Sequence, residues 1–598
     1  MCGIREQLEA YAKTKYDVEA EQLPFNHDDY AIFRHADNGR WFAVFIVKSC
    51  AVLGLDGEGD AELVSLKLQD PLLADLLAQQ PGYLRGYPSA KWNWISVLLD
   101  GTVPLSDICR WLDESYTATR GKAKNQKTKL IKRSDIKIMI KNYMEGETMY
   151  DYDVVFLGSG HSCWHGAVTL AANGKKVAIL DHDLPGGTCT NYGCDAKILL
   201  DGPFEFVEGL ERYKDLCVDR VGAIDWKKLM AYKKKHLTPF AEFMPAMFER
   251  TGISFIRERG KLLDAHTVEA GTRKISAEYI VLGVGQRNAR LNVPGQEYLH
   301  GSREFLDIEE MPDHLICIGA GVISMEFASM ALTLGKKVSF FEFMPRALAA
   351  YPEKYVSKLV EKMTAQGADF HFGEAVCAVE KTENGYKVMA KSGLCVEGDY
   401  VLDATGRVAN YEDLGLEALG IPAGRRGIQV DDHLRTCVKN IYVSGDAIDK
   451  AIPRLTPTAE FESNYIASQI LGNEDPICYP AVPNLVFTLP RIAQVGITVD
   501  EAEKSSEKYR ITSIPYGIQN EWVNNRELDI EMTFIIDRNG LLAGAAIYGS
   551  EGGTWIDFLT LIINHKITGQ ELRNMIFAFP TQTYMIVSTL IPLMISAE

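Results

Sequence analysis

Apolar and polar positions along this chain follow two different rhythms, and the change between them divides it. Up to about residue 118, residues 41–47 and 94–99 read as strands, while residues 4–15 and 105–116 have helical spacing. Together they predict an α+β unit. From about Tyr150 the pattern becomes strand, glycine turn and helix in repeated succession, closing in a mixed segment from about Ala481. The last apolar stretch, residues 584–597, is too short to span a bilayer and contains Pro592, so it reads as a buried helix.

A duplication lies inside the second region. One copy runs from Val154-Val-Phe-Leu-Gly158-Ser-Gly160 to Gly174-Lys-Lys-Val177-Ala-Ile-Leu-Asp181. The other runs from Leu315-Ile-Cys-Ile-Gly319-Ala-Gly321 to Gly335-Lys-Lys-Val338-Ser-Phe-Phe-Glu342. Gly158 and Gly319, Gly174 and Gly335, and Asp181 and Glu342 each stand 161 residues apart. Two βαβ units in identical register predict two dinucleotide sites. Gly158 and Gly319 permit the tight turn, and Gly160 and Gly321 let the backbone approach a pyrophosphate. The helix N-terminus then offers unpaired N–H groups and a positive dipole end. The acid, 23 residues beyond the first glycine in both copies, suits ribose hydroxyls. Cys163 and Ser324 replace the third glycine of the usual fingerprint, and both are small enough for close helix–strand packing. A carboxylate at Glu342 repels a 2′-phosphate, which makes NADH the expected nicotinamide; Arg346 leaves NADPH as the alternative.

At 598 residues the chain exceeds a single core, and 46% hydrophobic with 24% charged residues is the balance of a soluble globular protein. A net charge of −17 argues against general nucleic-acid affinity. Residues 120–141 run against that balance, carrying Arg120, Lys122, Lys124, Lys127, Lys129, Lys132, Arg133, Lys137 and Lys141 against Asp135. Such a run reads first as a solvated linker and second as a contact for a nucleic-acid backbone or acidic surface. Residues 1–10 lack a basic segment followed by an apolar core, and the twelve cysteines are mostly single, so a reducing, cytoplasmic setting is expected.

Cys189 and Cys194 are the exception, in Gly186-Gly187-Thr188-Cys189-Thr-Asn-Tyr-Gly-Cys194-Asp-Ala-Lys197. Two such cysteines can be half a metal site or unrelated core thiols. No second pair has ligand spacing, so no metal centre is expected. The segment resembles the redox centre of the class I pyridine nucleotide-disulfide oxidoreductases, the family of lipoamide dehydrogenase, glutathione reductase and mercuric reductase. Leu282-Gly-Val-Gly285 and Ala404-Thr-Gly406-Arg407 are similar to its two Ala-Thr-Gly-like turns. Tyr442-Val-Ser-Gly445-Asp446-Ala447 is similar to its flavin-binding motif, and Val486-Phe-Thr-Leu-Pro490 and Val495-Gly-Ile-Thr498 to the start of its dimerisation domain. The resemblance covers about residues 150–598. In the first 118 residues, Phe33-Arg-His-Ala-Asp-Asn-Gly-Arg-Trp-Phe-Ala and Pro81-Gly-Tyr…Trp94-Ile-Ser-Val-Leu-Leu-Asp-Gly resemble the YjbR-like (MmcQ) family. That family is a compact α+β fold for which DNA binding has been suggested; here a folded accessory module is the first reading.

The resemblance implies an α/β protein with two Rossmann-like nucleotide-binding domains, an α+β dimerisation domain and an N-terminal α+β YjbR-like domain. The implied division is residues 1–118 YjbR-like, 119–149 linker, 150–298 and 411–480 FAD-binding, 299–410 NAD-binding and 481–598 dimerisation. It implies FAD, NADH and a homodimer. Hydride would pass from NADH to flavin, and reduced flavin would open the Cys189–Cys194 disulfide. Cys194 would be the thiolate facing the flavin and Cys189 the interchange thiol meeting the acceptor. Asp181 would take the FAD adenosine ribose, Asp446 the ribityl chain, and Glu326 would pair with a lysine near the flavin. Gly187, Thr188, Gly285, Gly406 and Gly445 complete the cofactor-binding set.

Two departures matter. Lys197 follows Cys194 by three residues where the family has four. The family's His-Pro-Thr-x-x-Glu motif, whose histidine protonates a departing thiolate, is replaced by Phe579-Pro580-Thr581-Gln-Thr-Tyr584. Phenylalanine transfers no proton. The remaining histidine of the C-terminal hundred residues, His565, reads as a surface or helix-end residue. Mercuric reductases also dispense with that histidine but use C-terminal cysteines, and this chain ends Leu593-Met-Ile-Ser-Ala-Glu598. The first expectation is therefore an NADH-dependent flavin–disulfide enzyme whose acceptor is a small disulfide, a metal ion, a quinone or oxygen. A second is a redox-responsive binding protein whose N-terminal module binds a partner or nucleic acid. A third is a flavin-only NADH oxidase or quinone reductase with a vestigial disulfide.

Overall fold

The computed structural model describes residues 3–22, 30–53, 59–68, 80–85, 93–119 and 150–595, with positions 55, 74, 77 and 78 between them. By density of internal contacts the chain forms two compact units, Met1–Met149 with Leu170–Lys175 and Tyr150–Thr169 with Lys176–Glu598. Each is described by itself.

The first unit holds an antiparallel sheet in the order Glu21–Gln22, Ala31–Arg34, Trp41–Ser49, Asp60–Lys67, Trp94–Leu98, Tyr83–Arg85. Helices Ile4–Tyr16 and Leu105–Thr119 bring Leu8, Ile108 and Trp111 into one core with Phe33, Phe42 and Phe45. Alternate strand positions, among them Ile32, Val44 and Leu63, form a smaller cluster, as side chains of successive strand residues point to opposite faces. The expected second helix runs three residues further than its apolar spacing implied. Thr119 extends it by donating its hydroxyl to the Ser115 carbonyl at 2.6 Å, and it also bonds His35 Nε2 at 2.7 Å. The basic run of residues 120–141 lies outside the described residues.

In the second unit Tyr152–Leu157 is an inner strand, parallel to Val177–Leu180 on one side and Arg273–Leu282 on the other. Ser254–Ile256 and Ile441–Val443 extend this parallel sheet. Strands buried on both faces must be apolar without alternation, and Val177–Leu180 is buried at every position. A second parallel sheet places His314–Ile318 between Lys337–Glu342 and Tyr400–Asp403, with Ala368–Phe372 at its edge. The helices after the two glycine turns, His161–Ala172 and Val322–Thr333, keep the offset of the duplication at both ends.

The chain leaves the first sheet along Gln286–Asn288 and returns along Arg407–Ala409, and these two short strands pair antiparallel. A five-stranded antiparallel sheet follows, in the order Asn484–Val486, Arg491–Gly496, Leu542–Gly549, Glu531–Asp537, Tyr509–Pro515. Helices Gly552–His565 and Gln582–Ile595 bury Trp555, Leu559, Ile586 and Leu590 in a core with Trp522 and Phe534. The last apolar stretch is thus a packed helix. No helix among the described residues is long and apolar enough to cross a membrane.

Candidate redox and nucleotide-binding site

The two glycine turns repeat each other bond for bond. Gly158 (φ 113°) and Gly319 (φ 95°) adopt left-handed conformations that favour glycine. A Cβ would stand 2.4 Å from the Gly283 carbonyl oxygen at Gly158 and 2.7 Å from that of Ala404 at Gly319. Gly158 N–H donates to the Leu180 carbonyl and Gly319 N–H to that of Phe341, both at 2.8 Å. Ser159 N–H donates to Asp181 Oδ2 at 2.8 Å, and Ala320 N–H to Glu342 Oε2 at 2.6 Å. The other carboxylate oxygens accept from Asp183 N–H at 3.0 Å and Met344 N–H at 2.7 Å. Each acid therefore ties the glycine turn to the loop after its own strand. The Arg346 guanidinium is spent on carbonyl oxygens, at 3.0 Å from Tyr351 and 2.7 Å from Ala349.

The cysteine segment docks on the first turn. Gly160 and Gly186 bridge as parallel strands do, and a Cβ on Gly187 (φ 71°) would lie 2.7 Å from Gly160 Cα. Thr188 and Cys189 sit on the short helix Gly187–Tyr192, and Cys194 opens the helix Cys194–Glu211. Both cysteines carry free thiols. The Cys189 thiol donates to Cys194, which is the largest influence holding Cys194 down to about 6. Burial opposes it; the Thr456 hydroxyl at 3.5 Å and the charge of Lys197 add to it. The same bond, with burial, pushes Cys189 up. Cys194 is therefore the more acidic of the two and Cys189 the less.

Lys197 Nζ lies 3.0 Å from Glu326 and 3.9 Å from the centre of the Phe487 ring. The shortened spacing after Cys194 does not separate Lys197 from Glu326. Burial raises Glu326, offset by Lys197 and by the Phe487 N–H at 2.9 Å. Gly285 and Gly406 meet across the crossover: Asn410 N–H donates to Gly285 O and Ala289 N–H to Gly406 O, each at 3.0 Å. Burial holds Arg407 below the ordinary arginine range, countered by the charge of Asp446.

Several partners carry no sequence signal. Gly445 (φ 76°) is fixed by Glu462, whose buried carboxylate accepts the Gly445 N–H at 2.7 Å and the Tyr479 hydroxyl at 2.7 Å. Lys450 neutralises that carboxylate. Seventeen residues separate Glu462 from Gly445, so only the fold joins them. Beside this turn Ser444 Oγ and Thr458 Oγ1 are buried without a partner among the described residues.

The helix after the first glycine turn adds a cluster that sequence reasoning missed. His161 Nδ1 lies 3.0 Å from His165 Nε2, and the Trp164 ring stacks on His165 at 3.5 Å. His165 Nδ1 faces Glu460 at 3.5 Å. Burial lowers both histidines, His165 to about 3, while Asp195 acts in the opposite sense on His161. His161 Nε2 and Trp164 Nε1 are buried without partners among the described residues. Four-residue spacing on one helix was the available signal. At the other end of the chain, Phe579 is 70% exposed and stands 5.1 Å from Tyr584, and His565 is an exposed helix-end residue.

Residues 152–463 match the family described as pyridine nucleotide-disulphide oxidoreductase, residues 482–589 its dimerisation domain, and residues 13–118 the YjbR family. Dihydrolipoyl dehydrogenase of Chlamydia pneumoniae is 28% identical over 439 residues, 72% of this chain and 94% of its own. Glutathione reductase of Nostoc sp. is 31% identical over 376 residues, 59% of this chain and 80% of its own. Mercuric reductase of Bacillus cereus is 27% identical over 466 residues, 76% of this chain and 72% of its own. Among solved structures, the HOCl-induced flavoprotein disulfide reductase RclA from Escherichia coli matches with a TM-score of 0.66 at 22% identity, over 75% of this chain and 100% of its own. At that identity the likeness is one of fold.

Proposed function

Since this chain belongs to the pyridine nucleotide-disulphide oxidoreductases, a flavin-dependent family, we propose that it draws hydride from NADH and releases the electrons at Cys189. The observation that carries the proposal is the cysteine segment docked on the first glycine turn, with Thr456 against Cys194 and Lys197 held by Glu326.

FAD fits the residues present. Gly158 and Gly160 leave the backbone bare, Asp181 presents a carboxylate, and the unpartnered hydroxyls of Ser444 and Thr458 flank the Gly445–Asp446 turn. When bound, FAD supplies hydride acceptance and two-electron delivery to a disulfide. The protein's own side chains do the rest. Cys194 is held ionised by the Cys189 thiol, Thr456 and Lys197 at the start of a long helix, whose dipole favours negative charge. Lys197 is fixed by Glu326 and Phe487, so its charge stays beside the pair. Cys189 keeps the proton, and on losing it becomes the outward nucleophile.

The exit favours an acceptor that leaves no thiolate behind. Phe579 and Tyr584 offer no acid–base pair for a departing sulfur. A metal ion, a quinone or oxygen therefore fits better than a small disulfide. NADH is preferred over NADPH because Glu342 repels a 2′-phosphate and Arg346 is engaged by backbone carbonyls. We assign FAD binding to residues 150–298 and 411–480, nicotinamide binding to 299–410, homodimerisation to 481–598, and a cytoplasmic setting with the YjbR module as an accessory unit. The test is an acceptor screen with purified protein and NADH, run beside Cys189→Ser. NADH should raise a long-wavelength thiolate–flavin band, and the variant should lose acceptor reduction. A protein without bound flavin, or unchanged turnover in the variant, overturns the reading.

A further inference from the structure

The polar face of the helix His161–Ala172 has no task in the chemistry above. Its counterpart helix, Val322–Thr333, has Val322, Met325 and Glu326 where this one has His161, Trp164 and His165. Two imidazoles at positions i and i+4 form the common helical arrangement for gripping one metal ion. Here the facing nitrogens, His161 Nδ1 and His165 Nε2, are already 3.0 Å apart. Paired imidazole nitrogens suit copper and nickel among the divalent ions, and copper(II) is the one of these that a thiol pair can reduce. Stacking on Trp164 fixes the His165 ring, and its outer nitrogen faces Glu460 at 3.5 Å. A carboxylate behind a ligating imidazole sets its tautomer and raises its basicity.

The position is as telling as the geometry. His161 follows Gly160, Cys189 lies two residues past Gly187, and Gly160 and Gly187 are in backbone contact. We propose that His161 and His165 dock a copper(II)-class ion beside the redox cysteines, as the terminal electron acceptor. The idea rests on the reading of Cys189 and Cys194 as the electron exit. Two such ions, docked in turn, each take one electron from the reduced pair. The sulfur–sulfur bond re-forms, two copper(I) ions and the one Cys189 proton leave, and hydride from NADH restores the Cys194 thiolate and Cys189 thiol, giving NAD⁺.

Nickel(II), which the thiols do not reduce, probes docking alone. Flavin-loaded protein carrying Cys189→Ser and Cys194→Ser is dialysed against nickel(II). One equivalent should bind, fall at least about tenfold in affinity in His161→Ala and His165→Ala, and weaken in Glu460→Gln. It should persist in His433→Ala, which dismantles the exposed Asp431–Asp432–His433 group. Binding that survives His165→Ala, or disappears in His433→Ala, overturns the site. Loss of flavin absorbance together with nickel in both histidine variants also overturns it, because the pair then only shapes the flavin cradle. Copper(I) formed with NADH and the unmodified cysteines, read by a copper(I) chelator, should drop at least about tenfold in His165→Ala. If NADH never raises the thiolate–flavin band, the electron-exit reading fails, while the nickel result stands on its own.

Discussion

The two glycine-turn units share a backbone and differ in what their side chains are for. Each has the same turn conformation, the same strand-to-turn hydrogen bond and the same acid bridging to the residue between its glycines. The second adds only one polar contact: its helix, buried at every position from Ser324 to Leu332, holds Lys197 through Glu326. The first carries on into chemistry. Its turn receives the cysteine segment through Gly186 and Gly187, and its helix turns histidines and a tryptophan outward from the shared pattern. Binding a dinucleotide needs only the shared part, so reactivity must come from the part that diverged.

The strongest way to break this comparison is to block each turn in turn. Gly158→Ala adds a left-handed strain of about 1–2 kcal/mol and a clash with the Gly283 carbonyl, and should abolish flavin retention. Gly319→Ala should keep the flavin absorbance while raising KM for NADH by on the order of a hundredfold. Flavin loss from Gly319→Ala would exchange the two assignments. Next in size, Lys197→Met leaves Glu326 charged and buried, which should cost about 3–5 kcal/mol, seen as a large fall in Tm. Glu326→Gln should cost less than Lys197→Met, because its amide still accepts the Phe487 N–H. A milder change, Glu342→Ala, should move the NADH-to-NADPH ratio of kcat/KM toward NADPH by roughly tenfold, about 1.4 kcal/mol. Asp181→Ala should leave that ratio alone. The smallest effect concerns pH. Cys194 lies at about 6 against an ordinary 9.0, so its thiolate is present above that value and lost as pH falls through it. The thiolate–flavin band of NADH-reduced protein should be half-lost near pH 6, and Thr456→Val should raise that midpoint by less than about one unit.

Much of this is legible in the sequence, because it rests on short-range constraint. Glycine turns, parallel strands buried on both faces and the acid at a fixed distance are written within a few dozen residues. The constant spacing of the duplication carried over even to the helix ends. The family and the fold class read from the motifs agree with the matched family and the matched fold. What escaped depends on contacts between distant segments. Glu462 reaching Gly445, Thr456 reaching Cys194 and Glu460 facing His165 all come from one helix, Thr456–Ile470, whose sequence carries no motif beyond its apolar face. Lys197, by contrast, stands in the cysteine motif itself. Counting along the chain made it one residue short, yet a lysine is long and flexible enough to close that gap onto Glu326.

The ribbon formed by Gln286–Asn288 and Arg407–Ala409 has a wider meaning. Because the outgoing and returning strands lie side by side, everything between them behaves as a removable cassette spliced into a loop of the first parallel sheet. Excision there leaves ends already one hydrogen-bonded rung apart, which a short turn can join. Under the proposed assignment of that segment to the nicotinamide, grafting a different cassette should exchange the reductant without redrawing the sheet and helices that carry the cysteines.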